Sequence, residues 1–266
     1  MATIGIITGS GTYGLPDFEG SAPEPVATDW GEALISRGSF AGTDVLHLSR
    51  HGEGHPRLSN HVDHRANIAA LSQAGAGAVV AVTVCGGVDP TLELGSLVCF
   101  DDLHFVVNRL ADGSICTFFA EQGDPRRGHW IYEDPFSPQL RTALLGGAEE
   151  VGLPMRDGGC YGHVDGPRFN TKAEIRGLAA CGVTAVSQTA GPETVLAGEL
   201  ELPYALLGYV TDYANGVVDE ATPVATLLEM MGRSTDVLAS VLAAAVARID
   251  ASPLAPTGLV YRFGPG

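Results

Sequence analysis

Ala78-Val79-Val80-Ala81-Val82-Thr83-Val84, running straight into Cys85-Gly86-Gly87, is the stretch on which the fold turns. It is continuously apolar rather than alternating, as expected of a central strand covered on both faces. Working outward, a helix is predicted just before it, over residues 62–74, with Ile68 and Leu71 on its apolar side and Gly75 as its stop. Leu97-Val98-Cys99-Phe100 repeats the strand pattern more weakly. Nearer the N-terminus, Thr3-Ile4-Gly5-Ile6-Ile7 is a buried-strand pattern followed by the glycine-rich Thr8-Gly9-Ser10-Gly11-Thr12, and Asp44-Val45-Leu46-His47-Leu48 is a further strand.

Downstream, helices are predicted over residues 134–148 and 171–180. A strand over 184–189 breaks at Gly191-Pro192, and the helix from Pro192 to Leu200 has proline in its first turn. Tyr204 to Val210 is one more buried strand. Thr222-Pro223 supplies an N-cap and first-turn pair for a long helix, with Gly232 as a candidate kink point. Its apolar stripe is Val224, Leu227, Leu228, Met231, Leu238, Val241, Leu242, Ala245 and Ile249. Strands alternating with helices define an α/β fold with a largely parallel or mixed sheet, and no boundary divides residues 1–266 into two domains.

The 266 residues carry 15 Lys+Arg against 31 Asp+Glu, a formal charge of −16. That balance argues against a nucleic-acid or anionic-membrane surface, though not against a small anion in a pocket. With 45% hydrophobic and 17% charged residues the chain is globular. No apolar run reaches the roughly 18 residues of a membrane span. The opening Met-Ala-Thr-Ile lacks a basic region, so a signal peptide is not expected. The five cysteines are odd in number and none are spaced CxxC, which speaks for reduced thiols in a cytoplasmic protein and against a disulfide framework or zinc knuckle.

Four loops at strand ends stand out: Gly9-Ser10-Gly11, Arg50-His51-Gly52, Thr83 to Gly87, and Gln188-Thr189-Ala190. Each offers backbone N–H groups, hydroxyls or a guanidinium, the groups that hold a phosphate. Gly9-x-Gly11-x-x-Gly14 matches the dinucleotide fingerprint formally, but Leu15-Pro16-Asp17 interrupts the helix that must come next, and Arg50, not an acid, ends the next strand. Five of the eight histidines fall between His47 and His64. His51 and His55 are four apart, but Gly52, Gly54 and Pro56 argue against a zinc-binding helix there. Arg50 with His51 reads as an anion site, and His61 and His64 as hydrogen-bonding residues.

Taken together, Ile4 to Gly11, Arg50-His51-Gly52 with His55, Asn67 to Leu71, Thr83 to Gly87, Gly166-Pro167-Arg168-Phe169, Gly191 to Ala197 and Val210-Thr211-Asp212-Tyr213 occur in an order that resembles the trimeric purine nucleoside phosphorylase family. Within it the chain is most similar to the 5′-methylthioadenosine branch. The resemblance implies a three-layer α/β/α sandwich with a mixed central sheet, a homotrimer, and phosphorolysis of a purine nucleoside to free base and sugar 1-phosphate. It implies inorganic phosphate as co-substrate, with no metal or organic cofactor. By position it places Ser10, Arg50, His51, Thr83 and Thr189 on phosphate, and Val84, Cys85, Gly86, Phe169, Asn170 and Gln188 around the nucleoside. Asp212 falls on the residue that meets purine N7 and the 6-substituent. Val224 and Leu228 fall near the 5′-substituent, and His129 on a residue lent by the neighbouring subunit. Cys85 carries no nucleophilic role.

The chemistry fits those types of residue. Breaking an N-glycosidic bond leaves positive charge on the sugar and negative charge on the leaving purine. An arginine can hold two phosphate oxygens while hydroxyls orient it, and an acid at N7 neutralises the departing base. An Asp can donate to N7 and accept from a 6-amino group, whereas an Asn would suit a 6-oxo group. Asp212 therefore points to 6-aminopurine nucleosides. Gln188 stands where the family usually has methionine, and Asn170 and Ala214 also depart from the methylthioadenosine pattern, which suggests an altered sugar preference. The alternatives are a 6-oxopurine or methylthioinosine phosphorylase, a nucleoside hydrolase, and a non-catalytic nucleoside-binding protein.

Overall fold

The computed structural model describes residues 3–250 and 254–263; Met1 and Ala2 of the N-terminal stretch, and residues 251–253 and 264–266 of the expected 1–266 domain, lie outside the described residues. The strands are β1 (Thr3–Thr8), β2 (Glu19–Gly20), β3 (Glu24–Thr28), β4 (Gly31–Phe40), β5 (Thr43–Ser49), β6 (Ala76–Gly87), β7 (Leu97–Cys99), β8 (Asp102–His104), β9 (Gly128–Ile131), β10 (Met155–Asp157), β11 (Cys160–His163), β12 (Val183–Ser187), β13 (Tyr204–Tyr213) and β14 (Leu259–Arg262). The helices are α1 (His64–Gln73), α2 (Pro138–Glu150), α3 (Lys172–Ala180), α4 (Ala190–Glu199) and α5 (Val224–Asp250).

β6 is the axis of the sheet. It pairs in parallel with β1 on one side and β13 on the other, and β1 pairs in parallel with β5. The sheet is mixed because β4 joins β5, β7 joins β13 and β12 joins the end of β6 antiparallel. β9 and β14 form a separate antiparallel pair. Side chains alternate across the central strands, as the pleat requires. Ile7, Val79, Ala81 and Leu206 face one layer with Ile68 and Leu71 of α1 and Leu196 of α4. Ile4, Ile6, Val80, Val82 and Leu207 face the other, with Leu140 and Leu144 of α2 and Leu238, Val241 and Leu242 of α5. Both faces are dry, which is why β6 reads as an unbroken apolar run. The result is the three-layer α/β/α sandwich with a mixed sheet.

α1 and α4 begin within two residues of the sequence reading, α4 at Ala190 so that Gly191 and Pro192 lie inside it, and two other helix starts differ. α2 begins at Pro138 rather than 134, because the Ser137 hydroxyl accepts the Leu140 N–H as N-cap and Pro138 takes the first position. α5 begins at Val224, and Thr222 does not cap it: its hydroxyl accepts the Tyr213 N–H, tying the entry of α5 to the end of β13. α5 runs through Gly232 without a break. It is long and apolar enough to cross a membrane by length and composition. Its residues from Leu238 to Ile249 nonetheless pack into the second core, with Leu238, Val241, Leu242, Ala245 and Ile249 fully buried.

Candidate active site

Because β1, β5, β6 and β13 run parallel, their C-terminal ends open on the same edge, where ligands gather in open α/β sheets. That edge holds a cavity of about 280 Å³. Ser10 follows β1, Arg50 and His51 follow β5, Thr83 to Gly86 end β6, Asp212 lies near the end of β13, and Gln188 and Thr189 join β12 to α4; all line it. Phe169 and Asn170 line it too, Phe169 as an exposed ring at the mouth. One wall is apolar: Val164, Ile175, Val186 and Ala214, a cluster packed against α3 and β12.

Polar groups collect at one end. Arg50 is only 1% exposed. Its Nε and Nη2 donate to the two carboxylate oxygens of Glu193 at 2.6 and 2.8 Å, and Nη1 donates to Val82 O at 2.7 Å. Of the five guanidinium N–H groups this leaves one on Nη1 and one on Nη2. Burial works against the Arg50 charge, but the charge and hydrogen bonds of Glu193 outweigh it, and the pKa is raised. Gly9 lets the guanidinium in, since a Cβ there would stand 2.3 Å from Nη1. The Thr83 and Ser187 hydroxyls lie 3.0 Å apart at the same end. Thr189 is the N-cap residue of α4 but makes no side-chain capping bond, so its hydroxyl is spared for the cavity.

His51 Nδ1 lies 2.8 Å from Arg57 O, an acceptor, so Nδ1 carries the proton. Burial, then the Arg50 charge, lowers its pKa to about 4. The ring is therefore neutral at pH 7 and its Nε2 is a lone-pair acceptor. It stacks on His55 at 4.2 Å in a loop, not on a helix.

A single carboxyl sits at the other end. Asp212 is largely buried, and the Thr211 hydroxyl donates to its Oδ1 at 2.8 Å. Burial raises its pKa above the ordinary carboxyl value, and the Thr211 bond only partly opposes this. Its Oδ2 lies over Gly86, where a Cβ would come within 3.3 Å. Gln188 lies between the two ends. Its Oε1 accepts from Ser59 Oγ at 2.8 Å and its Nε2 donates to Arg168 O at 3.2 Å, so the amide is held on both sides. Cys85 is buried, its thiol faces Tyr209 O at 3.5 Å, and burial raises its pKa, which suits a packing residue.

Three expected residues lie elsewhere. Val224 and Leu228 are 71% and 60% exposed and do not line the cavity. The helix turns Leu227 and Met231 to it instead, one position along from Leu228 and four residues apart on one face. His129 is exposed on β9, its ring 5.4 Å from that of Phe263, and is not a cavity residue of its own chain. Sequence reasoning missed Ser187, Asn215, Leu227 and Met231 at the cavity and Glu193 behind it. Glu193 had a visible signal: it is a charge in the middle of the otherwise apolar or small Ala190-Gly191-Pro192 and Thr194 to Gly198. Among the described residues no group of three or more His, Cys, Asp or Glu side chains is placed to hold a metal.

The chain is thus an α/β protein with an open cavity of small-molecule size at the sheet edge, lined by Arg50 and hydroxyls and by the carboxyl of Asp212. Residues 3–247 match the model of the phosphorylase superfamily, and the chain belongs to that family. It is 34% identical over 251 residues to a 6-oxopurine nucleoside phosphorylase of Pyrococcus furiosus, covering 92% of each chain. It is 35% identical over 215 residues to an S-methyl-5′-thioadenosine phosphorylase of Bradyrhizobium diazoefficiens, covering 80% of this chain and 72% of that one. Its fold superposes with a TM-score of 0.84 on methylthioadenosine phosphorylase from Schistosoma mansoni in complex with adenine, at 27% identity, covering 95% of this chain and 93% of the other.

Proposed function

We propose that the cavity carries out phosphorolysis of a 6-aminopurine nucleoside, 5′-methylthioadenosine or a related adenosine, with or without a modified sugar. At the coarser level the chain is a purine nucleoside phosphorylase, a pentosyltransferase. The observation that carries the finer reading is Asp212, a partly buried carboxyl whose pKa is raised by burial and which lines the same cavity as Arg50.

In this reading phosphate lies at the polar end, under the sugar. The free N–H groups of Arg50 Nη1 and Nη2 and the hydroxyls of Ser10, Thr83 and Thr189 orient it. Neutral His51 accepts, through Nε2, from a protonated phosphate oxygen or a sugar hydroxyl. As the bond between C1′ and N9 breaks, its electron pair enters the purine, and a phosphate oxygen bonds to C1′. Asp212 gives its proton to N7 while its other oxygen accepts from the 6-amino group. Val84, Cys85, Gly86 and Phe169 border the base, and Gln188 and Asn170 the sugar. Leu227 and Met231 take the place expected of Val224 and Leu228 beside the 5′-substituent. The reading includes no metal or organic cofactor, a cytoplasmic location, and a homotrimer in which His129 reaches the neighbouring site.

The second reading is a 6-oxopurine or methylthioinosine phosphorylase. The similarity to the Pyrococcus furiosus 6-oxopurine enzyme favours it. Release of free base from 5′-methylthioadenosine, adenosine and inosine, each with and without phosphate, separates these. Phosphate-dependent release of adenine supports the proposal. Inosine as the best substrate supports the second reading, and release without phosphate means a hydrolase.

A further inference from the structure

The Arg50–Glu193 pair is tied more deeply into the fold than a phosphate ligand alone requires. Glu193 is 0% exposed and is the acidic residue in the first turn of α4. Besides the two bonds from Arg50, its Oε2 accepts from the Tyr204 hydroxyl at 2.9 Å. His64 Nδ1 lies 3.8 Å from Oε1. His64 is held neutral by burial, its pKa lowered to about 3, so it adds no charge to the cluster. Tyr204 is buried at the start of β13, the strand that carries Asp212 at its far end. α4 also begins at Thr189, whose hydroxyl is spared for the cavity.

We propose that Glu193 is the positioning residue of the phosphate end, turning the free N–H groups of Arg50 toward the cavity. The inference rests on the phosphorylase reading of the site. A guanidinium has two edges that can fork onto a carboxylate or phosphate. Glu193 occupies the edge made by Nε and Nη2, and Val82 O takes one N–H of Nη1. One N–H on Nη1 and one on Nη2 remain to take an oxyanion in the cavity that Arg50 lines. Tyr204 fixes the carboxylate, the carboxylate fixes the guanidinium, and α4 carries the carboxylate and the Thr189 hydroxyl together. Glu193 touches neither substrate.

Glu193→Gln tests it. The amide retains an acceptor for Nε but places an N–H against Nη2, so the fork rotates. Losing one aligned charge-assisted bond to phosphate raises the phosphate KM by about tenfold. The nucleoside KM stays within about twofold. Tyr204→Phe keeps the buried ring and removes only the donor to Oε2; a rise of about threefold in phosphate KM is expected, on the lower side of one neutral hydrogen bond. Glu193→Asp, which retains the charge, is expected to fall between wild type and Glu193→Gln. Direct titration of phosphate into each protein gives a second readout.

A phosphate KM that is unchanged, or lowered by unmasking the Arg50 charge, overturns the inference. So does an equal rise in both KM values, which marks a merely structural role. If Glu193→Gln does not fold, Tyr204→Phe decides alone by the same criteria. If wild-type protein neither binds phosphate nor needs it for base release, the phosphorylase reading itself falls and takes the inference with it. A phosphate-dependent wild type with indifferent variants removes the inference only.

Discussion

Asp212→Asn is the perturbation that bears hardest on the proposed chemistry. In the wild type, Thr211 Oγ donates to Asp212 Oδ1, and Oδ2 lies over Gly86. An asparagine keeps the Thr211 bond only with its carbonyl oxygen in the Oδ1 place, which puts the NH₂ where Oδ2 was. The substitution has two effects. The acid for N7 is gone, which costs about 10²–10⁴-fold in kcat/KM for every purine. The NH₂ also faces a 6-amino group, donor against donor, whereas a 6-oxo group accepts from it. An unmade buried hydrogen bond costs about 1–3 kcal/mol, so the ratio of 6-amino to 6-oxo kcat/KM falls by roughly 5–150-fold at about 1.4 kcal/mol per decade. The assay is kcat/KM for 5′-methylthioadenosine and inosine at saturating phosphate. A ratio that stays within about twofold of wild type refutes the placing of Asp212 at N7 and the 6-substituent. The variant has a stability signature as well. Burial raises the folded-state pKa of Asp212 above its unfolded value. The unfolded chain therefore binds fewer protons between the two values, and stability falls as pH rises through that window. Asp212→Asn removes this, so its Tm exceeds that of wild type at pH 8, and the gain shrinks below the ordinary carboxyl pKa of about 4.

Gly9→Ala would put a Cβ 2.3 Å from Arg50 Nη1; displacing that group by about an ångström raises the phosphate KM tenfold or more, measured with phosphate varied at fixed nucleoside. Leu227→Ala raises the KM for 5′-methylthioadenosine by about tenfold, for the loss of roughly 1.5 kcal/mol of apolar contact, while Leu228→Ala, on the exposed face, changes it less than twofold. Burial lowers the pKa of His47 to about 4, of His51 to about 4, of His64 to about 3 and of His163 to about 3. Their folded values lie below the unfolded value of about 6.5, so the unfolded chain binds more protons and stability is lost as pH falls from there toward 4. Urea unfolding at pH 7, 6 and 5 should show a loss steepening toward about 1.4 kcal/mol per pH unit for each histidine, and a flat profile would contradict their burial.

Legibility in the sequence depends on where each residue gets its partners. β1, β6 and β13 were legible because a strand covered on both faces has no polar side to blur its pattern, and because glycine-rich loops mark their ends. α1, α3 and α4 were legible to within two residues, with Gly75 and Pro192 as punctuation for α1 and α4. β3 and β4 were not. Gly31–Phe40 has exposed positions mixed with buried ones and a glycine inside it, so no period stands out. β8 to β11 are three or four residues long and owe their form to neighbours. In the site, Ser10 and Arg50 in loops and Thr83 near the end of β6 lay beside strand ends already marked. Leu227 and Leu228 could not be told apart, because a helical stripe wider than its contact leaves the rotation of the helix to tertiary packing. The partner of Arg50 lies 143 residues away in sequence, a separation that no local pattern encodes.

The two ends of the cavity differ in kind from its middle. At the Asp212 end, the pairing of β13 with β6 slips by one residue between Val210 and Asp212, so that Asp212 stands opposite Gly86. Successive side chains on a strand alternate, and an extra residue reverses the face of every residue after it. The slip therefore turns Asp212 away from the face of Val210, which belongs to the core shared with α4. Gly86, without a side chain, leaves the space that Oδ2 overlies. At the opposite end, Arg50 is set by Glu193, Val82 O and the missing Cβ of Gly9. Both ends are fixed by backbone and by fully buried partners, and a change at either disturbs the sheet. The middle is built otherwise. Gln188 is held by one hydroxyl and one carbonyl at the rim, Asn170 lies in a loop, and Leu227 and Met231 occupy the first turns of a helix beyond the sheet. Substitutions there reshape the cavity and leave Asp212 and Arg50 in place. Gln188 and Asn170, two departures from the methylthioadenosine pattern, fall where change costs the fold least, whereas the third, Ala214, stands beside Gly86 and Asp212.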